Sequence, residues 1–319
     1  MGHGDAGAKR VSSETTLSVR SGMRLPALFR ALRPYQWPKN AIVFAALAFG
    51  AGDTWTLDDR SNWGTLLGHT AALFALWCMV ASATYLVNDI RDIEVDRLHP
   101  RKSHRPIASG AVRTGTAWTA AIILILVAIP LAFLLDAAAG AILAGYFAVM
   151  LAYSFGLRQV AILDVLILCS GVIGRAVSGA VAIDVHISPW LYVCSGFGAF
   201  FFAASKRWAE YRQLGPDAAR HRPALASYNG DILGQMVVIS AAAALLSYAL
   251  YTIESVNVPA NGSMAMTIPF VAFGLFRYLL LLNGERRTDA PDQIIFTDIQ
   301  ILLAVAGFLG VAMTVLIAK

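Results

Sequence analysis

Charged residues are scarce in this chain. Asp, Glu, Lys and Arg together make up 14% of its 319 residues, while 57% are hydrophobic. A soluble domain usually carries about 25% charged residues, so the deficit excludes an ordinary soluble globule. The net charge of +5 would indicate nucleic acid in a soluble protein. Here it fits basic loops beside anionic lipid, and no nucleic-acid partner is expected.

Cysteine is also scarce. The three cysteines, Cys78, Cys169 and Cys194, each lie inside an apolar stretch. None belongs to a Cys-x-x-Cys pair or lies near a histidine cluster, so the sequence predicts neither a disulfide framework nor a zinc site. We interpret them as small buried hydrophobic residues.

The N-terminal residues lack the apolar core of a signal peptide. Residues 1–22 are polar, small and charged, which predicts a disordered cytoplasmic tail rather than a cleaved leader. The composition shows no soluble domain, repeat or low-complexity run in the rest of the chain. Residues 23–319 are therefore predicted to form a single transmembrane domain.

Long apolar runs, by contrast, are abundant. A helix needs about 20 mostly apolar residues to span a bilayer, and nine segments reach or approach that length. The expected fold class is an all-α integral membrane protein with nine transmembrane helices. The predicted spans are Lys39–Gly52, Thr65–Val87, Gly115–Leu135, Ala138–Phe155, Val160–Ile183, Pro189–Arg207, Ile232–Ile253, Met264–Leu282 and Thr297–Ile317.

Basic residues are distributed unevenly around these spans. Of the 25 Lys and Arg residues, 22 fall on the side that carries the N-terminus. By the positive-inside rule the N-terminus is cytoplasmic, which predicts a multi-pass membrane protein. Because nearly all chemically capable side chains then face the cytoplasm, the asymmetry favours an enzyme working from one side. A lipid or ion transporter is the alternative.

An aspartate-rich string follows the second span. Asn88, Asp89, Asp92 and Asp96 lie within nine residues, and at about 100° per residue a continuing helix places the three carboxylates on one face. Asn88 and Tyr85 flank that face. Like charges stacked in this way repel, and Mg²⁺, which takes one or two carboxylates plus phosphate oxygens, removes the repulsion. The string predicts a Mg²⁺ site for a diphosphate, and a solvated helix end is the alternative.

Cations follow the carboxylates within a few residues. Lys102 and Arg105 lie in the string Arg97–Gly110 directly downstream. A diphosphate whose metal is held on one side can be clamped through its free oxygens by such cations on the other. Lys102 and Arg105 are therefore predicted to bind the substrate.

The pattern Asn-Asp-x-x-Asp-x-x-x-Asp after the second of nine spans, followed by Arg-Pro-Ile-x-Ser-Gly, resembles the UbiA superfamily of intramembrane transferases. The nine-span layout extends the resemblance over most of the chain. It implies a helical bundle around a central cavity, with the metal–diphosphate site at the cytoplasmic mouth. It also implies a lateral opening for a polyprenyl chain.

A second site distinguishes branches of that superfamily. Most members carry another aspartate-rich motif after the sixth span, where this chain has Lys206, Arg207 and Glu210. At spacings of three and four residues on a helix, the glutamate can orient both cations. This arrangement predicts a phosphate site without a metal, and a helix-surface ion pair is the alternative.

Two further cations are candidates. Arg175 lies about midway through the fifth span, where an arginine is costly and by default faces a polar cavity with a partner. Arg158 lies in the short turn before that span and is either a phosphate ligand or a plain loop cation. Asp164 is too far along the same span for direct pairing with Arg175 to be expected.

The strings Arg33–Asn40, Tyr85–Asp89 and Lys206–Glu210 resemble the phosphoribosyltransferase branch of the superfamily, whose members often carry lysine at the position of Arg158. This resemblance implies 5-phosphoribosyl diphosphate (PRPP) as donor, a polyprenyl phosphate as acceptor and a lipid precursor of cell-wall arabinose as product. An oligomer is possible, and an aromatic prenyltransferase is the alternative. The implied catalytic residues are Asp89, Asp92 and Lys206. The implied substrate-binding residues are Lys39, Tyr85, Lys102, Arg105, Tyr153, Arg158, Arg175, Lys206, Arg207 and Glu210.

Overall fold

The structure, a computed structural model, describes residues 27–50, 54–56, 60–100, 102–186, 188–214, 225, 227–284, 294–295 and 297–318. The predicted N-terminal tail, residues 1–22, lies outside this part of the chain. The regular elements of the described residues are all helices, which confirms the all-α class.

Eleven α-helices and several short 3-10 helices make up the described fold. The α-helices are α1 (Ala27–Ala31), α2 (Ala45–Phe49), α3 (Trp63–Arg91), α4 (Ile93–Leu98), α5 (Thr114–Leu135), α6 (Ala137–Phe155), α7 (Leu163–Val181), α8 (Pro189–Leu214), α9 (Gly230–Glu254), α10 (Ile268–Asn283) and α11 (Ile299–Ile317). The 3-10 helices are Pro34–Phe44, Lys102–His104, Leu157–Gln159 and Ser263–Thr267.

Seven helices in the described residues are long and apolar enough to cross a membrane, and they coincide with seven of the nine predicted spans. They are Trp63–Arg91, Thr114–Leu135, Ala137–Phe155, Leu163–Val181, Gly230–Glu254, Ser263–Asn283 and Ile299–Ile317. The chain is therefore a multi-pass membrane protein.

The other two predicted spans have a different character. Lys39–Gly52 falls mostly in the 3-10 helix Pro34–Phe44 and the five-residue α2, because Pro38 cannot donate an α-helical hydrogen bond. Pro189–Arg207 falls in α8, which is 26 residues long but carries charged side chains throughout its last third. Whether these two segments cross the membrane stays a prediction.

α3 is the central helix of the bundle. Within its most apolar stretch 67% of the residues are buried inside the protein, against 17% in α5, which packs on its outer side. The exposed face of α5 is lined by large apolar side chains such as Ile122, Leu126 and Leu134. Such a surface is suited to contact with lipid hydrocarbon rather than water. α3, by contrast, lies inside the bundle.

A close approach brings the 3-10 helix Pro34–Phe44 against α7. A Cβ placed on Gly179 of α7 would lie 2.2 Å from the carbonyl oxygen of Val43, so only glycine permits this packing. The contact holds the 3-10 helix beside the inner face of α7. The first predicted span is thereby fixed to the fifth at the level where Asn40 meets Arg175.

Candidate active site

The aspartate-rich motif lies where α3 gives way to α4. α3 ends at Arg91, and Asp92, with φ −93° and ψ 8°, links it to α4, so the continuous helix that the sequence predicted is interrupted there. Asp89 and Asp96 still lie together, because Nη1 of Arg105 donates to Asp89 Oδ1 at 3.1 Å and to Asp96 Oδ2 at 2.6 Å. The two carboxylates are almost fully buried, at 2% and 1% exposure.

A second arginine reaches the same carboxylate from the start of the chain. Nη2 of Arg33 donates to Asp89 Oδ1 at 2.5 Å, and its guanidinium lies 4.9 Å from the centre of the Tyr85 ring. Arg33 has φ 56° and ψ 58°, a left-handed conformation that costs a non-glycine residue about 1–3 kcal/mol and persists only where the surroundings enforce it.

Arg33 was not among the site residues predicted from the sequence, although it begins the string Arg33–Asn40 that resembles the phosphoribosyltransferase branch. No feature of that string predicts the backbone turn that places the Arg33 guanidinium against Asp89, which lies 56 positions further along the chain.

The turn after α6 supplies partners for the rest of the motif. Nη1 of Arg158 donates to Asp92 Oδ2 at 2.8 Å. This hydrogen bond raises the pKa of the Arg158 guanidinium, which therefore stays charged at neutral pH. The hydroxyl of Ser154, which the sequence did not single out, donates to Asn88 Oδ1. Half-buried Tyr153 precedes Ser154 and lies at the same end of α6.

Within the described residues no three His, Cys, Asp or Glu side chains converge closely enough to hold a metal ion. One guanidinium nitrogen instead bridges Asp89 and Asp96. Two buried carboxylates around one shared positive charge nevertheless supply the number and type of donor that Mg²⁺ takes from a protein. The donor chemistry of the pair fits Mg²⁺, and the roles of Asn88, Asp89, Asp92 and Asp96 as metal ligands stay predictions.

The two predicted downstream cations are placed differently. Arg105 bridges the carboxylate pair, as described above. Lys102 is exposed on the 3-10 helix Lys102–His104, where its backbone N–H donates to Nδ1 of His99 at 3.3 Å. Arg105 is thus part of the buried cluster, and Lys102 lies at its solvent side.

The second motif contains a buried ion-pair cluster. The Arg207 side chain is 3% exposed, and its Nε donates to Asp164 Oδ2 at 2.8 Å while Nη1 donates to Glu210 Oε2 at 3.1 Å. Lys206, its neighbour on α8, is exposed. The two predicted phosphate ligands therefore lie in different environments. Arg207 faces carboxylates of the protein, and Lys206 faces outward.

Arg175 lies deeper in the bundle and has neutral partners. Its Nε donates to Asn40 Oδ1 at 2.7 Å, and Nη1 donates to the carbonyl oxygen of Gly171 at 2.5 Å. The guanidinium also lies 4.7 Å from the ring centre of Trp77 and 5.2 Å from that of Tyr146. Its predicted polar partner is thus an amide. Exposed Lys39 directly precedes that Asn40.

Two features define the class of protein. They are an all-helical membrane fold and a buried carboxylate pair where the central helix α3 gives way to α4. The chain belongs to the UbiA prenyltransferase family, whose sequence profile matches residues 40–299. Two similar relatives are named decaprenyl-phosphate phosphoribosyltransferase. The protein from Mycolicibacterium smegmatis is 34% identical over 298 residues, covering 89% of this chain and 92% of that protein. The protein from Corynebacterium glutamicum is 36% identical over 297 residues, covering 91% and 87%.

Solved structures share the fold at much lower sequence identity. A UbiA homolog from Archaeoglobus fulgidus bound to GPP and Mg²⁺ superposes with a TM-score of 0.66 at 17% identity, covering 92% of this chain and all of that one. A UbiA homolog from Aeropyrum pernix gives a TM-score of 0.57 at 17% identity, covering 90% and 98%. These likenesses establish the UbiA fold.

Proposed function

We propose that the chain transfers 5-phosphoribose from PRPP to decaprenyl phosphate, with Mg²⁺ as cofactor and release of diphosphate. The product is a lipid precursor of cell-wall arabinan. The names and identities of the relatives from Mycolicibacterium and Corynebacterium support this activity. The Archaeoglobus homolog solved with Mg²⁺ supports the choice of cofactor.

The observation that carries the proposal is the chemistry of the second motif. Lys206 is exposed beside a buried Arg207 that contacts Asp164 and Glu210. A carboxylate set would bind a second metal for a prenyl diphosphate, whereas an exposed ammonium binds a phosphate directly. A reaction between PRPP and a lipid phosphate presents phosphates in addition to the leaving diphosphate, whereas a prenyl diphosphate with an aromatic acid presents the leaving diphosphate alone.

The transfer needs no general base, because a lipid phosphate is already ionised at neutral pH. An oxygen of that phosphate forms a bond to C1 of the ribose while the bond from C1 to the diphosphate breaks, and the diphosphate leaves with the electron pair. Attack in line on an α-configured donor gives a β-linked product. Mg²⁺ on Asp89 and Asp96 would supply charge neutralisation to the leaving group. Arg33 and Arg105, which contact Asp89 in this structure, can donate to the free diphosphate oxygens.

The remaining site residues extend this arrangement. Lys102 and Arg158 flank the diphosphate half, and Lys206 holds a phosphate at the second motif. Asp89, Asp92 and Lys206 are the proposed catalytic residues. Lys39, Tyr85, Tyr153, Arg175 and Glu210 complete the proposed substrate-binding set, to which Arg207 contributes by holding Glu210 in place.

We further propose that residues 23–319 form one domain of nine spans around a central cavity, after a cytoplasmic tail of residues 1–22. The N-terminus and the active site face the cytoplasm from the bacterial plasma membrane. The excess of basic residues on one side of the spans supports this orientation. An oligomer is compatible with this topology.

Radiolabelled PRPP tests the activity directly. Membranes containing the chain, decaprenyl phosphate and Mg²⁺ should yield a labelled lipid, and EDTA should abolish the labelling until Mg²⁺ is restored. The protein should keep its unfolding temperature in EDTA, because arginines already neutralise Asp89 and Asp96. No labelled lipid, together with product from a labelled prenyl diphosphate and an aromatic acid, would establish an aromatic prenyltransferase instead.

A further inference from the structure

The segment 157–164 connects the two motifs. At one end Arg158 donates to Asp92 of the first motif at 2.8 Å. At the other end Asp164, which is fully buried, accepts from Arg207 of the second motif at 2.8 Å. Only five residues therefore lie between a contact to α3–α4 and a contact to α8. The segment joins the two motifs through side chains at its two ends.

The middle of the segment has a strained backbone. Ile162 has φ 69° and ψ −49°, and the N–H of Leu163 donates to the carbonyl oxygen of Ala161 at 2.8 Å. These features define a γ-turn with positive φ, a rare and strained form. A β-branched residue is a genuine outlier in that region, so neighbouring contacts have to hold it there.

Tyr228 supplies those contacts from the segment before α9. Its hydroxyl oxygen accepts from the N–H of Ile162, and the same hydroxyl donates to Asp164 Oδ1 at 3.3 Å. The ring is 7% exposed and packs in an apolar cluster with Leu225, which Ala161 joins from the turn. Burial raises the pKa of Tyr228, so the hydroxyl keeps the proton it donates.

We propose that Tyr228 and Asp164 are positioning residues, which fix the strained turn so that Arg158 meets the first motif while Arg207 is held at the second. This role rests on the proposed phosphoribosyl transfer. Neither Tyr228 nor Asp164 contacts the reacting atoms in this proposal. They act through Arg158, whose partner Asp92 belongs to the half that receives the diphosphate of the donor.

The variant Tyr228→Phe tests the proposal, since it keeps the packed ring and removes both hydrogen bonds. The KM for PRPP should rise about threefold, because a displaced Arg158 loses part of its partly exposed ion pair with Asp92, while the KM for decaprenyl phosphate changes less than twofold. Amides of residues 157–164 should exchange with deuterium about tenfold faster. Tyr211→Phe is the matched control, because Tyr211 lies in the same cluster, and it should leave both readouts unchanged.

A second variant links the effect to the turn. Glycine adopts positive φ without strain, so Ile162→Gly in the Tyr228→Phe background should restore at least half of the lost PRPP affinity. Wild-type KM and exchange in Tyr228→Phe would overturn the proposal, as would a fall in kcat alone, which indicates fewer folded molecules. If Ile162→Gly did not restore PRPP affinity, the claim that Tyr228 acts through the turn would be overturned. If the unaltered chain transfers no phosphoribose, the proposed function fails, while the exchange data still decide whether Tyr228 holds the turn.

Discussion

The two halves of the candidate site use the same ion-pair chemistry but differ in which of the paired groups are buried. In the first half, carboxylates are the buried groups, because Asp89 and Asp96 are almost fully enclosed while Arg33 and Arg105 are partly exposed. In the second half both charges of an ion pair are enclosed, because Arg207 is 3% exposed and its partner Asp164 is fully buried. Of the two halves, only the second encloses its cation.

This difference teaches which charge each half can offer to a substrate. The first half contains arginines that can leave their carboxylates for phosphate oxygens once another cation takes their place. In the second half the buried arginine is committed to protein carboxylates, and the exposed Lys206 is the cation that faces outward. Breaking a buried ion pair by removing one partner is costly. The exposed cation is therefore the better candidate for substrate contact, and the buried one for architecture.

The largest effect is expected from Asp89→Asn, which removes one of the two buried carboxylates. Charge stabilisation of the leaving group by a metal amounts to several kcal/mol, so kcat/KM for PRPP should fall about 1,000-fold. The measurement is transfer of labelled phosphoribose to decaprenyl phosphate in membranes. Glu94→Gln is the control, because Glu94 is 84% exposed and pairs with Arg97 one turn along the same helix. Near-normal activity of Asp89→Asn would show that the carboxylate pair is not the diphosphate site.

An intermediate effect separates Lys206 from Arg207. Lys206→Ala should lower kcat/KM about 10- to 100-fold, the usual contribution of a hydrogen bond to a charged group, and leave the unfolding temperature unchanged. Arg207→Ala should instead lower the free energy of unfolding by about 3–5 kcal/mol, because Asp164 is left buried without this partner. Thermal unfolding in detergent and the transfer assay measure the two effects.

Arg212→Ala provides the control for both variants. Arg212 lies on the same helix, is exposed, and donates to the carbonyl oxygen of Leu282. It should change neither activity nor unfolding strongly. If Arg207→Ala folded normally and lost activity as Lys206→Ala does, the assignment of Arg207 to architecture and of Lys206 to substrate contact would be wrong.

The sequence predicted the first half better than the second, for a physical reason. Carboxylates three to seven residues apart in sequence are a local pattern, and Asp89 and Asp96 lie together around Arg105 even though the helix is broken at Asp92. The partners of those carboxylates come from distant positions. Arg33 reaches Asp89 across 56 residues, and no periodicity encodes such a contact.

The second half depends on distant contacts almost entirely. The pairing of Arg207 with Glu210 follows from spacing on α8, but Asp164 and Tyr228 come from other segments. The positive φ of Ile162 has no sequence signal, since glycine or asparagine would be expected there. Spans were predicted well for the same reason as the carboxylates, because apolar length is a local property. Lys39–Gly52 and Pro189–Arg207 are not among the seven candidate spans. In the former the structure differs from a single α-helix, because Pro38 lies in a 3-10 helix.

The smallest effect is expected from Arg158→Lys, which tests how much of the first half depends on charge alone. Arg158 donates to Asp92 through one nitrogen, and both side chains are partly exposed, at 34% and 23%. Partly exposed ion pairs contribute about 0–1 kcal/mol, and a lysine can replace a single donor although it cannot replace a bidentate fork. Activity should therefore fall less than about fivefold, whereas Arg158→Gln, which removes the charge, should lose more. Equal losses in the two variants would mean that the shape of the guanidinium, rather than its charge, connects the turn to the aspartate-rich motif.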